Sequence, residues 1–161
     1  FLKNKDCVLD LGAAPGGWTQ VALERANNTT KVVAVDISTM KPIPRVEILQ
    51  LDMKGVDVIP RILLALGGKA DVVLSDMASP TTGHKHTDHV RTMALCQIAF
   101  DVAHSVLVEG GTLVVKVFQG GTEKVLLEHI KKSFSNVRHV KPSASRKESR
   151  EIFLVAVGFR N

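Results

Sequence analysis

The stretch Val8-Leu9-Asp10-Leu11-Gly12-Ala13-Ala14-Pro15-Gly16-Gly17-Trp18 constrains the fold more than any other part of the chain. An apolar run, Cys7 to Leu11, meets a glycine-rich turn. A helical pattern follows, with Trp18, Val21, Ala22 and Arg25 on one face. Strand, glycine turn and helix together form the geometry that binds nucleotide-like ligands in α/β sheets. Glycine lets the backbone approach a ligand closely, and the helix start offers free N–H groups. A dinucleotide fingerprint would need glycine at position 14, where Ala14 stands. A phosphate loop would need lysine after Gly17, where Trp18 stands. The turn therefore suits a ligand without phosphates. Asp10 suits a cationic one, because a carboxylate attracts a cation or accepts an ammonium hydrogen bond.

The rest of the chain repeats the alternation of strand and helix. Strands are expected at Cys7–Leu11, Lys31–Asp36, Arg45–Leu51, Ala70–Asp76, Thr112–Phe118, Val137–Val140 and Glu151–Gly158. Helices are expected at Trp18–Ala26, Val56–Leu66, His89–Leu107 and Glu123–Ser133, with Pro60 tolerated only in a first turn. The pairs Gly67-Gly68 and Gly110-Gly111 are expected to stop the second and third helices. This order implies an α/β, Rossmann-like fold: a seven-stranded, mostly parallel sheet with helices on both faces. The continuous runs V-V-A-V, V-V-L and L-V-V fit strands buried on both sides. The last two strands have no helix between them, so they form a hairpin-like pair and one strand runs antiparallel.

At 161 residues the chain is read as a single domain, 1–161, with no linker or internal repeat. No apolar stretch approaches the roughly 18 residues of a membrane helix. Lys3, Lys5 and Asp6 stand where a signal peptide would be apolar, so a cytoplasmic protein is expected. Cys7 and Cys96 sit in apolar runs and read as core residues of a reducing compartment, with no metal site. A net charge of +5 allows nucleic acid as a partner, while 4% aromatics argue against base stacking on an aromatic platform.

In open α/β sheets, ligands bind beyond the carboxyl ends of the strands. Gly12 to Trp18, Asp36, Asp52, Asp76 and Lys116 all fall there. Gly12, Gly16 and Gly17 would border the ligand by close backbone approach. An acidic residue about 20 positions after the turn typically binds ribose hydroxyls, which fits Asp36, or it merely caps a turn. Asp52 would accept from an adenine amino group, or is a plain turn residue. Asp76 follows a buried strand, so it either has partners or lies in a solvated turn. Lys116 interrupts L-V-V-K-V-F. It either snorkels to the rim or is held at the site by carboxylates, with Asp76 the nearest. A buried lysine acts as a general base if its pKa falls. His84, His86, Asp88 and His89 lie in a loop read as substrate-facing and mobile rather than metal-binding. Arg138, Lys141, Arg146, Lys147 and Arg150, interleaved with serines, form either a solvated surface or a phosphate-binding edge.

The motifs V-L-D-L-G-A-A-P-G-G-W, V-V-L-S-D-M-A, G-G-T-L-V-V-K-V-F-Q-G and K-P-S-A-S-R-K-E-S-R-E-I-F-L-V-A, in that order, resemble the FtsJ/RrmJ (RlmE) family. These are methyltransferases of ribosomal RNA. The loop S-P-T-T-G-H-K-H-T-D-H resembles bacterial members, alphaproteobacterial ones among them. The resemblance implies transfer of a methyl group from S-adenosylmethionine (SAM) to the ribose 2′-hydroxyl of a uridine in 23S rRNA, leaving S-adenosylhomocysteine. It implies that Gly16 and Trp18 contact SAM, Asp36 its ribose, Asp52 its adenine and Asp76 its methionine end. Asp76, Lys116 and Glu151 fall on the last three members of the family's Lys-Asp-Lys-Glu tetrad, with Lys116 as the proposed base. Lys141, Arg146, Lys147 and Arg150 would meet RNA, within the large ribosomal subunit, and the enzyme would act as a monomer.

Two departures qualify the resemblance. The family's first catalytic lysine lies in a helix ahead of the first strand and has no counterpart among these 161 residues, since Lys3 and Lys5 do not fall on its motif. Residues 1–161 are therefore expected to bind SAM but to methylate poorly. Ser79-Pro80 also replaces the usual Pro-Asn. Two other classes stay open on residues alone: a nicotinamide-dependent oxidoreductase, and a non-catalytic RNA-binding module with a vestigial SAM site.

Overall fold

The computed structural model describes residues 7–78, 82–118, 124–141 and 151–161. Its elements are β1 (Cys7–Leu11), α1 (Gly17–Arg25), β2 (Lys31–Asp36), β3 (Val46–Gln50), α2 (Val58–Leu66) and β4 (Ala70–Ser75). They continue with α3 (Lys85–Val106), β5 (Leu107–Phe118), α4 (Lys124–Ser133), β6 (Phe134–Val140) and β7 (Glu151–Phe159). The seven strands form one sheet in the order β3-β2-β1-β4-β5-β7-β6. β7 is the reversed strand, antiparallel to both β5 and β6. The sequence reading paired the last two strands but did not place β7 between β5 and β6.

Alternation along the strands sorts the side chains into two cores. Leu9, Val33, Val73, Leu113 and Ala156 stand side by side across the sheet and face one way. Ile62 of α2, Ala99 and Ala103 of α3 and Ile130 of α4 bury against that face. On the other face Val8, Val32, Val72, Leu74 and Val114 meet Ala22 of α1, with Trp18 and Leu23 partly buried against them. α1 turns Thr19 and Ala22 inward and leaves Val21 and Arg25 exposed, so the face expected from the sequence is rotated. Thr19 donates to Asp10 of β1, which draws that side of the helix inward.

Three boundaries differ from the sequence reading for physical reasons. α3 begins at Lys85, not His89, because the Asp88 carboxylate accepts from both the N–H and the hydroxyl of Thr82, at 2.9 and 2.7 Å. These hydrogen bonds hold the Asp88 carboxyl below its usual value, and a negative charge in a first turn favours a helix. His86, Asp88 and His89 are thus helical rather than part of a mobile loop, and no group able to hold a metal ion occurs among the described residues. β5 begins at Leu107, immediately after α3. Gly110 and Gly111, expected to end the helix, instead lie in an irregularity of β5, where its register to β4 shifts between Ala70 and Val72. β6 begins at Phe134, three residues before the expected Val137, because Phe134 pairs with Phe159. A fourth, the start of α2, falls at Val58 rather than Val56, and the remaining element ends lie within one residue of the expectation. Pro60 sits in the first turn of α2, and the Gly67 and Gly68 N–H groups close that helix on Leu64 and Leu63.

The end of β7 secures α4. The Arg160 N–H donates to Ser133, and its guanidinium donates to the carbonyls of Lys132 and Lys131 at 3.1 and 3.2 Å. These are carbonyls that a helix end leaves unpaired. Arg160→Ala is expected to lower stability by about 1 kcal/mol, read as a lower urea midpoint at unchanged slope.

Candidate active site

The chain leaves β1 for β2 and β3 on one side, then returns through β4 and β5 on the other. This reversal opens a crevice beyond the carboxyl ends of β1 and β4. A cavity of about 490 Å³ occupies it, bordered by Gly12, Ala14, Asp36, Asp52 and Asp76. Lys54 is the one cation among its described lining residues.

Gly12 holds φ at +68°, and a β-carbon there would stand 2.5 Å from Met77 Cγ. Gly16, at φ +123°, caps α1. Gly12 N–H and Ala13 N–H both donate to the Val35 carbonyl, at 2.8 and 3.1 Å, which ties the turn to β2. Gly16, Gly17 and Trp18 are not among the residues bordering the cavity. Trp18 rests against Phe153 of β7, with ring centroids 5.1 Å apart.

Asp36 and Asp52 each combine a turn cap with a place on the cavity wall. Asp36 accepts from Ala14 N–H at 2.9 Å and Ser38 N–H at 2.8 Å, so it caps a turn while it lines the cavity. Asp52 likewise accepts from Lys54 N–H at 2.9 Å and lines the cavity. Each carboxylate is aimed by its backbone donors and retains further lone pairs for a ligand.

Asp76 is not a solvated turn residue. It follows β4 and lies 2.9 Å from the Lys116 ammonium, which also meets Glu151 at 3.3 Å. Lys116 is the most enclosed of the three, its side chain 12% exposed against 35% for Asp76 and 49% for Glu151. Strand geometry makes the cluster. Lys116 is two residues past Val114, on the α1 side, and Glu151 opens the reversed β7, so it arrives at the rim where the other strands end. Burial works against the ammonium, but the hydrogen bonds and charges of Asp76 and Glu151 outweigh it and raise the Lys116 pKa. Lys116 is therefore an ammonium at neutral pH, not the depressed lysine that general-base chemistry requires.

Asp10 is fully buried and is not among the residues bordering the cavity. Thr19 Oγ1 donates to its Oδ2 at 2.7 Å. Lys141 is exposed at the end of β6, on the same rim as Glu151. The other expected RNA contacts, Arg146, Lys147 and Arg150, lie outside the described residues. The sequence reading missed Ile37, Met53 and Met77, which line the cavity, and Phe153 under Trp18. Ile37 and Met53 each follow a rim aspartate directly, a signal that was available.

No helix among the described residues is long and apolar enough to cross a membrane. Among known proteins, the chain is 51% identical over 163 residues to ribosomal RNA large subunit methyltransferase E of Agrobacterium fabrum, covering 99% of this chain and 66% of that protein. It is 55% identical over 158 residues to the protein of the same name in Paramagnetospirillum magneticum, covering 95% of this chain and 65% of the relative. It thus spans about two thirds of the length of these relatives. A crystal structure from Plasmodium falciparum, described as a ribosomal RNA methyltransferase, superposes with a TM-score of 0.86 at 34% identity, over 99% of this chain and 89% of that one. The family model for FtsJ-like methyltransferases matches residues 1–159. With a Rossmann-like sheet and a cavity at its switch point, the chain belongs to the FtsJ-like methyltransferase family.

Proposed function

We propose that the protein transfers a methyl group from SAM to the ribose 2′-hydroxyl of a uridine in large-subunit (23S) ribosomal RNA. The observation that carries this reading is Lys116, held between Asp76 and Glu151 at the edge of an acid-lined cavity. Asp36, Asp52 and Asp76 suit a ligand that is cationic at sulfur and nitrogen and bears ribose hydroxyls and an adenine amino group. Asp36 would also fit a nicotinamide dinucleotide, but Ala14 stands where the glycine of a dinucleotide turn would be, which weighs against an oxidoreductase. The large-subunit RNA comes from the names of the two relatives. Exposed Lys141 on the rim supports an RNA phosphate contact there.

SAM supplies a methyl group already activated by its sulfonium. The chain's task is then alignment and removal of one proton. Asp36 and Asp52 fix the nucleoside end, and Asp76 reaches both the cavity and Lys116. The charged Lys116 donates a hydrogen bond to the 2′-oxygen and sets its line of approach. As the new O–C bond forms, the methyl–sulfur bond breaks and its electron pair stays on the sulfur of S-adenosylhomocysteine, while the hydroxyl proton becomes strongly acidic and a carboxylate of the pair around Lys116 suffices to take it. Lys116 then acts by orienting the hydroxyl rather than as the resting base.

The direct test incubates the protein with labelled SAM and unmethylated large ribosomal subunits, and identifies the product nucleoside. 2′-O-methyluridine is the expected product. Binding of NAD without SAM, read from melting temperature, would overturn the assignment. Gly12→Ala is expected to weaken SAM binding at least tenfold by calorimetry. The left-handed backbone costs a residue with a β-carbon about 1–2 kcal/mol, and the added methyl group displaces Met77 at the cavity wall.

A further inference from the structure

Asp10 has no part in the chemistry above, yet its placement is unusual. Across the sheet its row reads Ile48, Ala34, Asp10, Leu74, Val114, Val155 and Arg138, so it is the only acidic member of that row, and the exposed Arg138 stands four strands away on the edge strand β6. It is 0% exposed, and only Oδ2 is satisfied, by Thr19 of α1. Oδ1 meets no hydrogen-bond donor among the described residues. A wholly structural clip between β1 and α1 would be served as well by a neutral amide or hydroxyl, without the cost of a buried carboxyl.

The groups around Asp10 explain its state. From α1 it faces the neutral Thr19 hydroxyl, while Glu24 and Arg25 of that helix are exposed. From the ends of β2 and β4 it meets the charges of Asp36 and Asp76, both of which line the cavity. Lys116 of β5 is already engaged by Asp76 and Glu151. Burial first, then repulsion by Asp76 and Asp36, push the Asp10 carboxyl up to about 7 against the pull of Thr19. A group so poised changes its proton occupancy when the local charge changes by one.

We propose that Asp10 is a positioning residue that exchanges a proton with solvent as a cationic ligand enters the cavity beyond Gly12. The inference rests on the SAM reading. The carboxyl O–H bond breaks, the proton passes to buffer, and the carboxylate that remains strengthens the hold on the ligand's positive end. No other bond changes. Acting through charge, Asp10 discriminates the sulfonium of the substrate from the neutral thioether of the product, S-adenosylhomocysteine.

Calorimetry in two buffers of different ionisation enthalpy reads this directly. At pH 6 the protein is expected to release on the order of one proton, and more than half a proton, per SAM bound. S-adenosylhomocysteine should release clearly less, and release should fade by pH 9. SAM affinity should rise between pH 6 and 7 and then level. Asp10→Asn should bind SAM with no proton release and a flat pH profile. Thr19→Val, which removes the one interaction that favours the carboxylate, should move the release to higher pH. Carbon-13 NMR of the protein alone should place the Asp10 titration near neutrality. Binding of SAM without proton release, or equal release by Asp10→Asn, overturns the inference and leaves the cofactor reading standing. Failure of SAM to bind wild-type protein overturns both.

Discussion

Replacing Lys116 with methionine lowers the methyl-transfer rate by about 10²–10⁴-fold while SAM affinity stays within a few-fold of wild type. The expectation follows from where Lys116 stands: it touches Asp76, a cavity residue, but does not itself line the cavity. The loss should therefore appear in the chemical step rather than in cofactor binding. The variant leaves Asp76 and Glu151 facing each other without their shared cation, so a small loss of stability accompanies the lost rate. Lys116→Arg distinguishes the two roles open to a lysine here. An orienting cation is partly replaced by arginine, whereas a base is not, because guanidinium keeps its proton. The pH–rate profile gives a second reading. Because Asp76 and Glu151 raise the lysine's proton affinity, an orienting role predicts a flat rate from about pH 7.5 to 9.5, and a base predicts a climb of about tenfold per pH unit. A rising profile with an inactive arginine variant would return Lys116 to the role of base.

A second large effect concerns stability against pH. The folded Asp10 carboxyl titrates near 7, above its ordinary 3.8. Below about pH 3 it is protonated in both folded and unfolded chains and contributes no pH dependence. From pH 4 to 7 the unfolded chain releases the proton while the folded chain keeps it, so stability falls as pH rises. The gap between 3.8 and about 7 is worth about 4 kcal/mol once both titrations are complete. Asp10→Asn removes this decline. Urea unfolding of both proteins at pH 5, 6, 7 and 8 is the check: their difference should grow with pH in favour of the variant and flatten near pH 8. A constant difference would mean that Asp10 is ionised in the folded protein at every pH tested.

The sequence made the sheet legible because V-L of β1, V-V-A-V of β2 and V-V-L of β4 are buried on both faces and read as apolar runs. It made the rim legible because charged residues end or follow those runs, and Asp36, Asp52, Asp76 and Lys116 could be named before their contacts were known. Strand order was less accessible. Whether β7 pairs with β5 depends on which edge it reaches first, and Ile152–Val157 is equally apolar in either position. The start of α3 was hidden for another reason. A histidine- and threonine-rich segment has weak helical periodicity, and the bond from Thr82 to Asp88 settles it. Asp10 was the subtlest. Its residue type suggested contact with a cation, but only packing reveals that Thr19 of α1 and the apolar strand neighbours Ala34 and Leu74 enclose it.

The reversed strand has one more consequence. Since β6 and β7 run in opposite directions, the connection between them begins and ends at the catalytic rim, next to Lys141 and Glu151. Glu151 is also paired with Phe118 of β5, so the hydrogen-bonded frame of the sheet itself sets where this carboxylate meets Lys116, and a slip of β7 by one residue would turn it to the opposite face.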